Sequence, residues 1–206
     1  ALVAKYFYQG SSEIDLSLAV TGTNGKTSTC WILAQALTAL GRPTAYLGTL
    51  GFKYWPSSNV REAIEYPTAT TTPDAIEIHR LIGKAKEEGA QGIVMEASSH
   101  ALDQGRITGI NWDIAAFTNL TRDHLDYHHT MEEYARVKER LFFRELVLSN
   151  KLKRFAVSNL DDEVGRGIIE RLKAERPEIK TIAYSVKDQN ADLRLVNYQP
   201  TVKNTK

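Results

Sequence analysis

The chain of 206 residues carries 26 Lys and Arg against 25 Asp and Glu, a net charge of +1, with 42% hydrophobic and 25% charged residues; this is the balance of a globular domain, not of a disordered or fibrous chain. Such a length buries roughly 70% of the extended-chain surface, and no basic cluster marks a nucleic-acid partner. No apolar run approaches the ~20 residues of a membrane span, the N-terminal ALVAKYFYQG lacks a signal-peptide pattern, and Cys30, the sole cysteine, leaves no internal disulfide, so the chain reads as cytoplasmic; a monomer is expected.

Residues 1–13 read as the remnant of a preceding domain or a linker, and 14–206 as one central domain cut short at its C-terminal end. LSLAV (16–20) is a buried strand, after which Cys30, Leu33, Ala34, Leu37 and Leu40 recur at helical spacing up to a capping Gly41. In that helix Cys30 is a packed small residue. TAYLGTL (44–50) is strand-like, and the polar stretch 51–72 reads as a long loop, closed by Thr72 and Pro73 as N-cap and first helical residue. Ile78, Leu81, Ile82 and Ala85 form the next stripe, which ends at Gly89 before the strand GIVMEA (92–97). DIAAFTN (113–119) is a strand, 131–147 a helix, RFAVSN (154–159) a strand, and a helix begins near Asp161. TIAYS (181–185) follows, and ADLRLVNYQPTVKNTK runs out as an edge strand. Strands separated by helices predict an α/β fold, a doubly wound, mostly parallel sheet flanked by helices, with ligands at the carboxyl ends of the strands.

The junction AVTGTNGKTSTC (19–30) carries the most specific chemistry. A triphosphate needs many N–H donors unobstructed by side chains, together with cations. Gly22 and Gly25 permit close backbone approach, the helix from Thr27 presents its positive end, Lys26 supplies an ammonium, and the Thr27 hydroxyl suits Mg²⁺. Val20 stands where the common form of this loop has its first glycine, so the match to that form is partial.

Other strand ends are also polar. Glu96 ends one strand and can hold Mg²⁺ directly or through water. SSHALDQGR (98–106) follows it, and TNLTRDHLDYHH (118–129) gathers Asp123, His124, Asp126, His128 and His129. His124 and His128, four apart, fit zinc if helical, or simply hydrogen-bond the loop; spacing leaves both open. In the helix at 131–147 the inward stripe of Met131, Tyr134, Ala135 and Phe142 also includes Lys138, which either snorkels or is kept for chemistry.

TGTNGKTS, TATTTPDA, MEASSHALDQGR, FTNLTRDHLDYHHTMEEYARVKERLF and NLDDEVG occur in this order, and together they resemble the central, P-loop NTPase-like ATP-binding domain of the Mur ligases over about residues 14–185. The blocks look most like the member acting on UDP-MurNAc-L-Ala-D-Glu. Folylpolyglutamate and cyanophycin synthetases share the phosphate loop and stay as alternatives, as does a nucleotide-binding module without chemistry; a guanine-reading N-K-x-D is missing.

The resemblance implies ATP-dependent amide formation in peptidoglycan precursor synthesis. A peptide carboxylate attacks the γ-phosphate, and the amine of L-lysine or meso-diaminopimelate displaces phosphate from the resulting acyl phosphate. It places ATP on Thr21, Gly22, Thr23, Asn24, Gly25, Lys26, Thr27 and Ser28, with Asn119, Asn159 and Asp162 on the adenine side or near the metal. It implies two Mg²⁺ sites, one on Thr27 and Glu96, the other on His124 and on Lys138 carbamylated by CO₂. Lys26, Lys138, His124 and Glu96 are thereby the catalytic set. Thr71, Thr72, Ser98, Gln104 and Arg106 face the nucleotide-sugar peptide. His129 departs from the family's DYHGT, where glycine is expected, and the domain that holds the incoming amino acid is not part of these residues.

Overall fold

The computed structural model describes residues 1–8, 14–57, 59 and 62–196. Its strands are β1 (Leu16–Thr21), β2 (Thr44–Gly48), β3 (Gly51–Tyr54), β4 (Ile64–Tyr66), β5 (Gly92–Glu96), β6 (Ile114–Phe117), β7 (Phe155–Asn159), β8 (Lys180–Ser185) and β9 (Leu193–Arg194). Its helices are α1 (Leu2–Phe7), α2 (Lys26–Ala39), α3 (Ala75–Glu87), α4 (Ser99–Asp103), α5 (Leu125–His128), α6 (Met131–Arg140) and α7 (Glu163–Glu175). The strands form one sheet in the order β4-β3-β2-β5-β1-β6-β7-β8-β9. The β2–β3 and β3–β4 pairs are antiparallel and the others parallel. This is the doubly wound, mostly parallel sheet that the alternation predicts.

Chain order reverses at β1, which lies between β5 and β6. A crevice at such a switch point opens outside the carboxyl ends of the strands. Val20 is there opposite Glu96, and Thr21 opposite Phe117. Both faces of the central strands are covered, which is why they read as continuous apolar runs. Leu18, Val20 and Val94 pack with Cys30 and Ala34 of α2, while Ala19, Ile93 and Met95 pack with Ile78, Leu81 and Ile82 of α3. Each buried Leu, Ile, Val or Met among these contributes roughly 1.5–3 kcal/mol.

Local readings are corrected where long-range pairing overrides them. The stretch 51–72 is not one loop, because β3 and β4 fold back on β2 and bury Phe52 and Tyr54. Two strands this short show no usable periodicity of their own. Asp74, not Thr72, caps α3, by accepting from Glu77 N. Thr72 is buried instead; its hydroxyl donates to Glu96 O at 2.8 Å and accepts from Ser98 N at 3.1 Å. Leu40 is 83% exposed, and Thr38 turns inward to bridge Ala34 O and Thr44 N. The helix at 131–147 is α-helical only to Arg140 and continues as a π-helical turn, Leu141–Glu145. Val137 joins Tyr134, Lys138 and Phe142 on its inner face, while Met131 and Ala135 are half-buried. Helix α7 starts at Glu163 behind the cap Asp162. Of the expected terminal edge strand only the exposed β9 is seen, and residues from 197 onward lie outside the described residues.

Helix α7 approaches β7 so closely that a Cβ on Gly165 would overlap the backbone carbonyl of Asn159, whereas a Cβ on Gly167 would meet nothing. Gly165→Ala is therefore expected to destabilise the fold by about 1–3 kcal/mol. Gly167→Ala is expected to stabilise it by roughly 0.5–1 kcal/mol. Urea unfolding of the two variants checks the contrast.

Candidate functional site

The loop from Gly22 to Lys26 crosses the carboxyl end of β1 and is latched to the chain leaving β6. Thr23 N donates to Asn119 O at 2.8 Å, Asn24 N to Asn119 Oδ1 at 3.0 Å, and Thr118 Oγ1 to Asn24 O at 2.7 Å. Gly22, at φ 143°, leaves no room for a side chain, because a Cβ there would overlap Thr118 Oγ1. The left-handed Gly25, at φ 84°, then turns the chain directly into α2. Thr21 is buried, and Ser28 is exposed at the start of α2.

Two amines converge behind this loop. Lys26 Nζ donates to Gly22 O at 2.9 Å and Thr23 O at 2.8 Å, and Lys138 Nζ reaches the same Gly22 O at 2.9 Å from α6. Among the described residues neither amine has a carboxylate within salt-bridge distance. Burial lowers the pKa of Lys26, and Glu96 and Asp123 oppose the shift. Burial, reinforced by Lys26, pushes Lys138 down to about 7. Its ammonium also lies 4.3 Å from the centre of the Tyr134 ring. Two desolvated amines on one carbonyl oxygen, each charged only at a cost, favour an anion in the adjoining cleft.

That cleft, of about 230 Å³, is lined among others by Asn24, Lys26, Thr27, Thr71, Ser98 and Lys138. A larger one of about 680 Å³, between α1 and α3, includes none of the predicted site residues. At the cleft floor the buried Glu96 carboxylate accepts from Tyr46 OH (2.5 Å) and Thr49 N (2.9 Å) on Oε1, and from Thr27 Oγ1 (2.9 Å) and Thr49 Oγ1 (3.2 Å) on Oε2. Burial and the Glu96 hydrogen bond raise the Tyr46 pKa far above that of a free phenol, so it is a permanent donor. Adjacent carboxylate and hydroxyl oxygens fit a hard cation such as Mg²⁺.

The remaining predicted residues fall into two groups. Ser98 caps α4, Arg106 donates to Thr72 O at 2.7 Å and to Gln104 Oε1, and Thr71 lies 3.2 Å from Thr49 Oγ1. These lie beside the cleft. Asn159 and Asp162 stand at the end of β7, where Asn159 Nδ2 donates to Thr118 O and the Asp162 carboxylate caps α7 and accepts from Leu120 N. His124 is half-exposed, 3.5 Å from Asp123, with its ring against His100 and Tyr134. No three His, Cys, Asp or Glu side chains converge to hold a metal among the described residues, so the zinc reading of His124 and His128 finds no donor set. Sequence reading missed Tyr46, Thr49 and Ser99. For Thr49 the signal was its place at a strand's carboxyl end.

Residues 20–206 match the Mur ligase middle domain. The chain belongs to the Mur ligase family. It is 43% identical over 188 residues to the UDP-N-acetylmuramoyl-L-alanyl-D-glutamate–2,6-diaminopimelate ligase of Xanthomonas campestris pv. campestris (strain 8004), covering 91% of this chain and 35% of that one. A namesake from Neisseria meningitidis serogroup A (strain Z2491) is 43% identical over 179 residues, covering 87% and 34%. A solved structure of an enzyme of that name superposes with a TM-score of 0.77 at 33% identity, covering 94% of this chain and 37% of that one. A folylpolyglutamate synthase from Mycobacterium tuberculosis shares the fold alone, with a TM-score of 0.59 at 17% identity, covering 90% and 47%. The chain thus spans about a third of the length of the curated relatives it matches.

Within this Mur ligase domain two histidines are strained. His124, at φ 51°, begins α5, and His129, at φ 62° and ψ −43°, follows it. Thr130 N bonds back to His128 O at 2.7 Å, closing a γ-turn centred on His129, a conformation strained for any residue with a Cβ. This accounts physically for a glycine in DYHGT. His129→Gly is expected to stabilise the domain by roughly 1 kcal/mol, readable as a raised denaturant midpoint.

For Lys138 the folded pKa of about 7 lies below the ordinary 10.5, so between those values the unfolded chain holds a proton that the folded chain lacks. Wild-type stability then rises with pH across this window. The gain in stability from Lys138→Met is expected to be largest at or below pH 7 and to shrink toward pH 10, as urea unfolding in carbonate-free buffer will show.

Proposed function

We propose that this chain is the ATP-binding central domain, residues 14–206, of a longer cytoplasmic, monomeric ligase, with residues 1–13 as the remnant of a preceding domain or a linker. That enzyme joins UDP-N-acetylmuramoyl-L-alanyl-D-glutamate to 2,6-diaminopimelate, the amino acid in its relatives' names. The observation that carries this reading is the meeting of Lys26, Lys138 and the loop backbone beside the Thr27–Glu96 pair in one cleft.

The difficulty of the reaction is to bring a carboxylate against a polyanion. The loop amides and Lys26, which leaves Gly22 O for the nucleotide, bind the β- and γ-phosphates. The D-glutamyl carboxylate oxygen then attacks the γ-phosphorus, and the bond from that phosphorus to the bridging oxygen of ADP breaks. The amine nitrogen of diaminopimelate next attacks the acyl carbon, phosphate departs, and the amine gives up a proton. Thr27 and Glu96 would hold one Mg²⁺, and His124 with a carbamate on Lys138 a second. When bound, these ions supply positive charge that offsets the repulsion. The lowered pKa of Lys138 supports carbamylation, because only a neutral amine adds CO₂. Thr71, Thr72, Ser98, Gln104 and Arg106 orient the sugar peptide, and Asn119, Asn159 and Asp162 flank the nucleotide.

The full-length ligase is expected to form tripeptide, ADP and phosphate in equal amounts, faster with diaminopimelate than with L-lysine. Lys26→Ala should lower the rate by about 10²-fold or more. The isolated 206 residues should bind ATP weakly and make no product. Intact mass in bicarbonate should reveal one added CO₂, lost in Lys138→Ala. A preference for a folate substrate would refute the assignment, and tripeptide formed by the isolated domain would refute its expected inactivity.

A further inference from the structure

Resting on the ligase reading, we propose that Tyr46 is a positioning residue for the metal-binding carboxylate: its buried hydroxyl, with the Thr49 amide, immobilises Glu96 Oε1 so that Oε2 alone faces the nucleotide cleft. The two oxygens of Glu96 have different kinds of partner. Oε1 meets a backbone N–H at 2.9 Å and a phenol at 2.5 Å. Neither partner can turn away, because Tyr46 is fully buried in β2 with its ring edge-on to Trp31 at 5.6 Å, and its oxygen accepts from Leu50 N at 3.3 Å, which directs the phenolic proton to Glu96. Among the described residues Oε2 meets only the hydroxyls of Thr27 and Thr49, both of which line the cleft and can rotate about a single bond.

Gly48 completes the device. A Cβ at this position would overlap both Glu96 Oε1 and the Tyr46 hydroxyl, so the bare backbone there lets phenol and carboxylate meet. The YLGT stretch at the end of β2 (46–49) thus holds Glu96 from the side opposite the phosphate loop. A carboxylate fixed by a surrounding shell of donors presents its remaining oxygen to a cation without first losing rotamer freedom.

The test is calorimetric ATP binding by the full-length ligase at stepped Mg²⁺ concentrations. Tyr46→Phe keeps the ring and removes one donor to a charged group, so half-saturation by Mg²⁺ should need about tenfold more metal. Metal-free ATP affinity should stay at the wild-type value and certifies the fold. Tyr54→Phe removes another buried phenol, one that donates to Glu88 O at 3.2 Å outside the cleft, and should leave the Mg²⁺ requirement within about twofold of wild type. The inference is overturned if Tyr46→Phe also stays within twofold, or if Tyr54→Phe shifts the requirement equally. Wild-type protein whose ATP binding ignores Mg²⁺ would overturn the ligase reading itself.

Discussion

Two lysine amines sharing one carbonyl oxygen impose the constraint that shapes this end of the sheet. Lys26 and Lys138 come from helices far apart in the chain, yet both amines stop 2.9 Å from Gly22 O. Like charges this close and this poorly hydrated would repel; burial, together with that repulsion, holds the Lys138 pKa at about 7, and the Gly22 and Thr23 carbonyls compensate the charges incompletely. The fold tolerates the arrangement because the loop carrying that carbonyl is pinned by Asn119 and Thr118 at the end of the neighbouring strand.

The rest of the architecture keeps these groups in register. Parallel pairing of β1 with β5 and β6 brings the phosphate loop, Glu96 and Asn119 to one rim. The antiparallel β2–β3 hairpin is a different kind of support, since it fixes the strand end that carries Tyr46, Gly48 and Thr49. Strand ends thus carry Glu96 and Tyr46, helices carry Lys26 and Lys138, and the short segments that leave the strands carry most of the remaining groups.

Strain collects beside the same rim. His124 and His129 both hold left-handed backbone, and the buried hydroxyls of Thr21 and Ser99 find no hydrogen-bond partner among the described residues. Such features lower stability.

How much was legible follows from the range of each interaction. The alternation of strand and helix, the capping Gly41, the buried Cys30 and the phosphate loop are local patterns, and residues within a few positions of one another determined them. The loop-like 51–72 became two strands because pairing with neighbouring strands outweighed local preference, and Thr72 became a buried link between Glu96 and Ser98 because its partners stand 24 and 26 residues away. Lys138 shows the division most clearly. By itself the sequence determined that a lysine sits on an apolar helical stripe. Only the tertiary structure decided that this stripe faces Gly22, since a contact across 116 residues depends on how the sheet winds, and no local periodicity encodes that.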